Sequence, residues 1–332
     1  MNSEVIYKSL LSVKETQYAI DQVRKTFQNQ FSKKLKLLRV TAPLFVTEES
    51  KINDGLNGDV PVRFKVKGYL DTELQIVHSL AKWKRVALQK YGFGIHEGIY
   101  TDMNAIRRYE ILDNTHSFYV DQWDWEFFIR EKEANSGFLK KTVKKIYDVF
   151  LYVEKKINKE FPVLSHKLPE RLTFVTSTEL LDMYPGLTPE EREYAFAKKH
   201  KAFFVSQIGF PLLNGEPHDK RAFDYDNWKL NGDLIVYDAV NNQALELTSM
   251  GIRVDAKALK KQQIAAEKPN SELGAYHMKI YNKELPLSIG GGIGQSRLCM
   301  FLLEKKHIGE VQASFWPDDM IASLKSIGVK LL

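Results

Sequence analysis

Residues 288–298 (SIGGGIGQSRL) restrict the fold more than any other stretch of this chain, because glycine fills four of the five positions from 290 to 294. Glycine lacks a Cβ, so another group can lie directly against its main chain, and it tolerates positive φ. The segment continues into the apolar run 298–303, which reads as a helix with a buried face and Arg297 in its first turn. A glycine turn feeding a helix that begins with an arginine suits a nucleotide. An ordinary tight turn, ahead of a helix capped by Gln295 and Ser296, fits the same residues.

The chain around this segment alternates between periods of 3.6 and 2. Residues 4–34 carry Ile6, Leu10, Val13, Ile20, Val23, Phe27 and Phe31 at helical spacing, as one long amphipathic helix or two short ones. Residues 36–46 switch to a strand pattern that Pro43 interrupts, which places Pro43 at an edge, a bulge or an interface. Residues 47–59 are polar, contain Asp54-Gly55 and Asn57-Gly58, and read as a loop long enough to act as a mobile lid. Strands are expected at 61–67 and 73–78, and a helix at 80–91. Strands at 98–107 and 115–125 should form an antiparallel hairpin, followed by a second long helix at 136–161. Beyond it come a strand at 171–176, helices near 177–183 and 188–200, a strand at 202–208 and a loop over 210–231. A second hairpin, 232–238 with 243–254, and helices near 255–267 and 271–283 lead back to the glycines. Hairpins outnumber strand–helix–strand crossovers, so the expectation is one α+β domain over 1–332 with a central antiparallel sheet flanked by helices.

Composition removes several classes of function. With 332 residues, 44% hydrophobic and 27% charged, the chain can bury a large core. The net charge of +6 is spread along helical faces rather than gathered in one patch, which argues against nucleic acid as a partner. A single cysteine, Cys299, excludes an internal disulfide framework and a cysteine-based zinc site. No signal pattern or bilayer-length apolar run is present, so the expected location is cytoplasmic, with no membrane partner.

Three segments gather polar groups in apolar surroundings. Period-two geometry puts Phe118, Gln122 and Asp124 on one face of a strand, and Glu246 and Thr248 on one face of another. The loop 218–226 packs five charged groups into nine residues. A sheet with one wet face, or a solvated loop, accounts for each pattern taken alone. The cations available are Lys82, Lys84, Arg107, Arg108, Arg221, Arg253 and Arg297. Phosphoryl and adenylyl chemistry needs such groups where charge builds on phosphate oxygens, often with Mg²⁺ held by carboxylates. There is no phosphate-loop lysine pattern, no early dinucleotide fingerprint, no H-E-x-x-H and no G-x-S-x-G.

Together, VHSLAKWKR (77–85), YVDQWDWE (119–126), HDKRAFDYD (218–226), LNGD (230–233), ELTSMGIRVD (246–255) and IGGGIGQSRL (289–298) resemble the ammonia-dependent asparagine synthetases, or aspartate–ammonia ligases. The resemblance covers nearly the whole chain. It implies the fold of class II aminoacyl-tRNA synthetases, with Pro43 as the motif 1 proline at a homodimer interface, Arg107 and Glu110 in motif 2, and Arg297 in motif 3. Motif 2 usually reads Arg-x-Glu, whereas this chain has Arg107-Arg108-Tyr109-Glu110. Both arginines can be framed, and Arg107 matches the family's position.

The implied reaction joins L-aspartate and ammonia through β-aspartyl-AMP, at the expense of ATP. By the resemblance, Arg107 holds the α-phosphate and the activated carboxylate, and Arg297, Gly292, Gly294 and Phe118 attend ATP. Asp233 and Glu246 hold Mg²⁺. The aspartate pocket draws on Asp54, Ser79, Lys84, Gln122, Asp124, Arg221, Asp226, Ser249 and Arg253, with Asp54 placed to take a proton from ammonium. No glutaminase module is visible, which suits free ammonia as the nitrogen donor. A synthetase core that charges tRNA is the competing reading, and it would call for a separate anticodon-binding domain.

Overall fold

A computed structural model describes residues 6–55 and 59–332; Asn57-Gly58 of the polar loop and the first two residues of the 4–34 segment lie outside them. The first helix, α1 (Val13–Leu35), begins where Ser12 forms a capping box: Glu15 N donates to Ser12 Oγ, and Ser12 N donates to Glu15 Oε2 at 2.8 Å. The helical pattern therefore starts nine residues later than its apolar spacing suggests. Residues ahead of the cap run beside the C-terminus instead, with Tyr7 N donating to the Ile327 carbonyl at 2.9 Å. A stripe of Ala19, Ile20, Val23, Phe27 and Phe31 faces inward. It packs against α3 (Ser136–Glu160), which Asn135 caps.

Both helices cover one face of an eight-stranded sheet. The strands are β1 (Leu37–Arg39), β5 (Gly98–Ile106), β6 (Tyr119–Phe128), β11 (Ser288–Gly294), β10 (Gln243–Arg253), β9 (Asp226–Asp238), β8 (Ala202–Ser206) and β7 (Thr173–Thr176), in that spatial order. Pairing is antiparallel except at the two edges, β1 with β5 and β7 with β8. Along β6, Trp123 and Trp125 point to the helices, where Phe27 stacks on Trp123 at 4.1 Å and Phe31 meets Trp125 edge-on. Gln122, Asp124 and Glu126 point the other way. One strand thus supplies both the core and the polar floor on its opposite face.

The remaining elements are β2 (Phe45–Thr47), β3 (Arg63–Val66), β4 (Tyr69–Ile76), α2 (Ala81–Lys90), α4 (Ser177–Met183), α5 (Pro189–His200), α6 (Ala256–Ala265), α7 (Ala275–Tyr281), α8 (Gln295–Leu302) and α9 (Asp318–Ser326). Strands β2, β4 and β3 form a small separate sheet. The segment 36–46 therefore splits at Pro43 into strands of two sheets. The expected hairpins are present, but β9 starts at Asp226, six residues inside the stretch that reads as a loop, and the sequence patterns gave no sign of α9. Among the described residues, no helix is long and apolar enough to cross a membrane.

The main correction concerns the glycines. Residues 288–294 are not a turn but a strand, inserted between β6 and β10, and none of these glycines has positive φ. Gly290 stands opposite Glu126 on β6 and Gly251 on β10. A Cβ there would run into the Glu126 carboxylate and the Arg253 guanidinium and sit 2.6 Å from the Trp125 carbonyl oxygen. Close approach of neighbouring side chains, rather than turn geometry, requires glycine at this position.

Candidate active site

A cleft of about 340 Å³ opens over the sheet face turned away from α1 and α3. One end is lined by Arg107, Glu110 and His116 from the β5–β6 connection, by Arg297 in the first turn of α8, and by Glu246 on β10. Arg297 Nη1 lies 3.5 Å from Glu246 Oε2, and its Nη2 donates to His116 Nε2 at 2.8 Å. His116 Nδ1 then faces Asp113 Oδ2, also at 2.8 Å. Arg107 is 3.8 Å from Glu110, and its buried Nε has no hydrogen-bond partner among the described residues. Arg108 instead lies 4.9 Å over the Tyr109 ring and does not line the cleft. Val120, Leu247 and Ile308 provide the apolar wall at this end.

The other end is a set of buried, paired charges. Arg253, 2% exposed, donates Nε to Glu126 Oε1 at 2.9 Å, Nη2 to Glu126 Oε2 at 2.6 Å and Nη1 to Asp226. Ser288 Oγ also donates to Glu126, at 2.6 Å. Burial acts to raise both carboxylates. At Glu126, Arg253 outweighs burial and the pKa falls below its ordinary value, while at Asp226 burial prevails and the pKa stays raised. Lys84 donates to Asp124 Oδ1 at 2.6 Å and to the Gly291 carbonyl at 2.8 Å, and complete burial pulls its pKa down despite Asp124. Asp124 Oδ2 is buried and without a partner among the described residues. Nearby, Arg221 lies 2.8 Å from Asp219, donates to Ser249 Oγ at 2.9 Å and pairs with Asp233. Ser79 Oγ donates to Asp54 Oδ2 at 3.1 Å.

Of the residues singled out from sequence, the cleft brings together Asp54, Ser79, Arg107, Gln122, Asp124, Arg221, Asp226, Glu246, Ser249, Arg253, Gly292, Gly294 and Arg297. Lys84 and Asp233 lie one layer beneath, behind Asp124 and Arg221. Phe118 does not line the cleft. It precedes β6, so the alternation that grouped it with Gln122 does not reach it, and its ring stacks on Phe315 with 6.5 Å between centroids. A register shift between Glu246 and Thr248 changes a second assignment. Glu246 and Ser249 line the cleft, whereas Thr248 donates to the Gly292 carbonyl at 2.8 Å. Glu126 was missed, although the alternation of Gln122 and Asp124 extends to it. No group of three His, Cys, Asp or Glu residues in metal-holding geometry occurs among the described residues.

A family model described as aspartate-ammonia ligase matches residues 14–328. The chain belongs to the aspartate–ammonia ligase family. Its relatives include the aspartate–ammonia ligase of Clostridium tetani, 51% identical over 98% of this chain and 96% of that protein. The Bacillus cereus enzyme is also 51% identical, over 98% of this chain and all of its own length. Solved structures show the fold. Asparaginyl-tRNA synthetase from Pyrococcus horikoshii, complexed with asparaginyl-adenylate, superposes with a TM-score of 0.68 at 14% identity, covering 92% of this chain and 70% of that one. Aspartyl-tRNA synthetase from Entamoeba histolytica gives 0.59 at 16% identity, covering 90% and 58%. As an aspartate–ammonia ligase, the protein makes asparagine from aspartate and ammonia on a class II synthetase fold.

In this ligase the Glu126–Arg253 pair and the glycine strand are one construction. Gly290→Ala is expected to lower the free energy of unfolding by about 1–3 kcal/mol, the range for overpacking, and to weaken aspartate binding more than ATP binding. Urea unfolding and separate KM measurements test this. Equal effects on both substrates would count against a link between Gly290 and Arg253.

Proposed function

We propose that the ligase works in two steps within this one cleft. A side-chain carboxylate oxygen of aspartate attacks the α-phosphorus of ATP, the bond to the β-phosphate breaks, and its electron pair leaves with pyrophosphate. Ammonia then forms a C–N bond at the acyl carbon of β-aspartyl-AMP. The C–O bond to phosphate breaks, AMP departs, and the nitrogen sheds a proton to solvent. The observation that carries this reading is that Arg107 and Arg297, from distant segments, line the same cleft as Arg253, Asp226 and Asp124.

Arg107, with a buried donor lacking a partner, opposes charge on the α-phosphate and the activated carboxylate. Arg297 contacts the triphosphate end of ATP. Gly292 leaves room for the Gln122 amide, which meets the activated carboxyl group, and Gly294 leaves room for the Arg297 side chain that attends ATP. Asp124 and Asp226 receive the α-ammonium, and Ser79, Arg221, Ser249 and Arg253 complete the aspartate pocket. Lys84, held by Asp124, acts from behind it to keep that carboxylate charged and oriented.

Asp233 and Glu246 would hold Mg²⁺. Burial raises the Asp233 pKa well above its usual value, Glu246 adds to this against the opposing Arg221, and Asp233 Oδ1 lacks a partner among the described residues. Such an oxygen set fits a hard cation, which would supply charge neutralisation at the phosphates. The whole chain, 1–332, would act as one catalytic domain. It would pair with a second copy across Pro43, where Leu38, Leu44 and Phe45 leave apolar surface exposed.

Purified protein incubated with ATP, Mg²⁺, aspartate and ammonium should yield asparagine and AMP in equal amounts; asparagine with ADP instead would refute the adenylate. Asp54→Ala should slow the ammonia step by about 10²-fold, the usual size of a general-base contribution. Exchange of pyrophosphate into ATP should persist, and parallel loss of both would remove Asp54 from the ammonia step.

A further inference from the structure

A second cavity, of about 520 Å³, lies against the aspartate end of the cleft. Its walls come from the loop that carries Asn53 and Asp54, from Gln75 on β4, from Lys82 at the start of α2, and from the stretch between α6 and α7. Asp54, Lys220, Arg221 and Ala222 line both cavities and form the partition between them. Arg107, Gly292, Gly294 and Arg297, assigned above to ATP, do not line this space.

We infer that the second cavity is the entrance for the nitrogen substrate, admitting ammonium to the partition, where Asp54 receives it. The inference rests on the two-step reading above. ATP enters over Arg297 and His116, so a bound adenylate closes that end of the cleft. Its aspartyl part lies toward Ser79, Arg253 and Asp226, and Ser79 Oγ donates to Asp54 of the partition at 3.1 Å. The third substrate must therefore arrive from the partition side.

The wall chemistry suits a small, strongly hydrated cation. Ammonium has four N–H donors and no apolar surface, so its path needs oxygen acceptors and little uncompensated positive charge. Among the described wall residues, Lys51, Lys82, Lys220, Arg221 and Lys268 are balanced in number by the carboxylates of Glu48, Asp54, Asp59, Asp224 and Glu272. Lys82 Nζ is 2.7 Å from Asp224, which His277 Nε2 also meets at 3.0 Å. Lys268 is 3.4 Å from Glu272, and Arg221 is 2.8 Å from Asp219. The carboxylates of Glu48 and Asp59 add oxygen acceptors along the wall. At the partition, the Asp54 carboxylate takes one proton from NH₄⁺, releasing NH₃ with its lone pair free to form the C–N bond.

Two bulky substitutions on the far wall test the route: Ala266→Trp, at the end of α6, and Ser271→Trp, at an exposed position of the α6–α7 stretch. Each should raise the KM for ammonium about fivefold or more while changing aspartate-dependent pyrophosphate exchange by less than about twofold, a split that separates access from activation. Ser271→Trp tests the route even if Ala266→Trp fails to fold. Unchanged KM for ammonium in a folded plug variant overturns the inference, as does an equal fall in exchange and amidation. Absence of exchange in the unmodified enzyme would instead overturn the adenylate reading, and this inference with it.

Discussion

Arg107→Ala is expected to reduce aspartate-dependent exchange of pyrophosphate into ATP by roughly 10²–10³-fold, the effect of removing one donor aimed at charge that develops in the transition state. The expectation follows from its place in the cleft. Arg107 sits where the β5–β6 hairpin ends, its main-chain N–H still in register with Phe118 at 2.9 Å, so its guanidinium is delivered by the sheet rather than by a mobile loop. Its buried Nε lacks a partner among the described residues, and a phosphate oxygen would supply one. Arg108→Ala is the control. Its side chain lies over Tyr109, so exchange should stay within about threefold of the parent, as for surface cations in general. Exchange at the parent rate in Arg107→Ala, or a greater loss in Arg108→Ala, would move the motif arginine to position 108.

The second large effect is expected at Arg253. Its removal leaves Glu126, fully buried, and Asp226 facing each other's charge without the cation that joins them. Breaking a buried ion pair from one side costs about 3–5 kcal/mol, so Arg253→Ala should lower the urea midpoint sharply as well as raise the KM for aspartate. An Arg253→Met/Glu126→Gln double variant tells the two contributions apart. It removes one stranded carboxylate and restores bulk, so it should recover part of the stability without recovering aspartate affinity. If the single variant unfolds at the parent urea concentration, the network contributes no net stability and serves orientation alone.

Several elements were legible because their determinants are local. The inward stripes of α1 and α3 recur every three or four residues, whereas the Ser12 capping box that sets where α1 begins went unread. The alternation QWDW in β6 records a strand with one face in the core and one in the cleft. Resemblance to the family then joined motifs hundreds of residues apart, which periodicity cannot do. Where sequence reasoning failed, the cause was a non-local contact or a break in period. Alternation carried Phe118 into the site because nothing in the sequence marked β6 as starting at Tyr119, and a shift in pairing with β9 rotated Thr248 away from Glu246.

The chain by itself determined an α+β fold around an antiparallel sheet, the hairpins, the long helices and, through its motifs, membership of the aspartate–ammonia ligases. Period and capping are properties of neighbouring residues, and the motif set survives as text. Only the tertiary structure decided why residues 290–292 are glycine. They form a central strand with negative φ: Glu126 and Arg253 close over Gly290, Gln122 over Gly292, and Met250 with the Ser249 carbonyl over Gly291 on the opposite face. It also decided that Lys84 and Asp233 stand behind the cleft rather than in it, and that a second cavity meets the cleft at Asp54. These are relations between strands and loops distant in sequence, and the space between such elements exists only once the sheet has assembled.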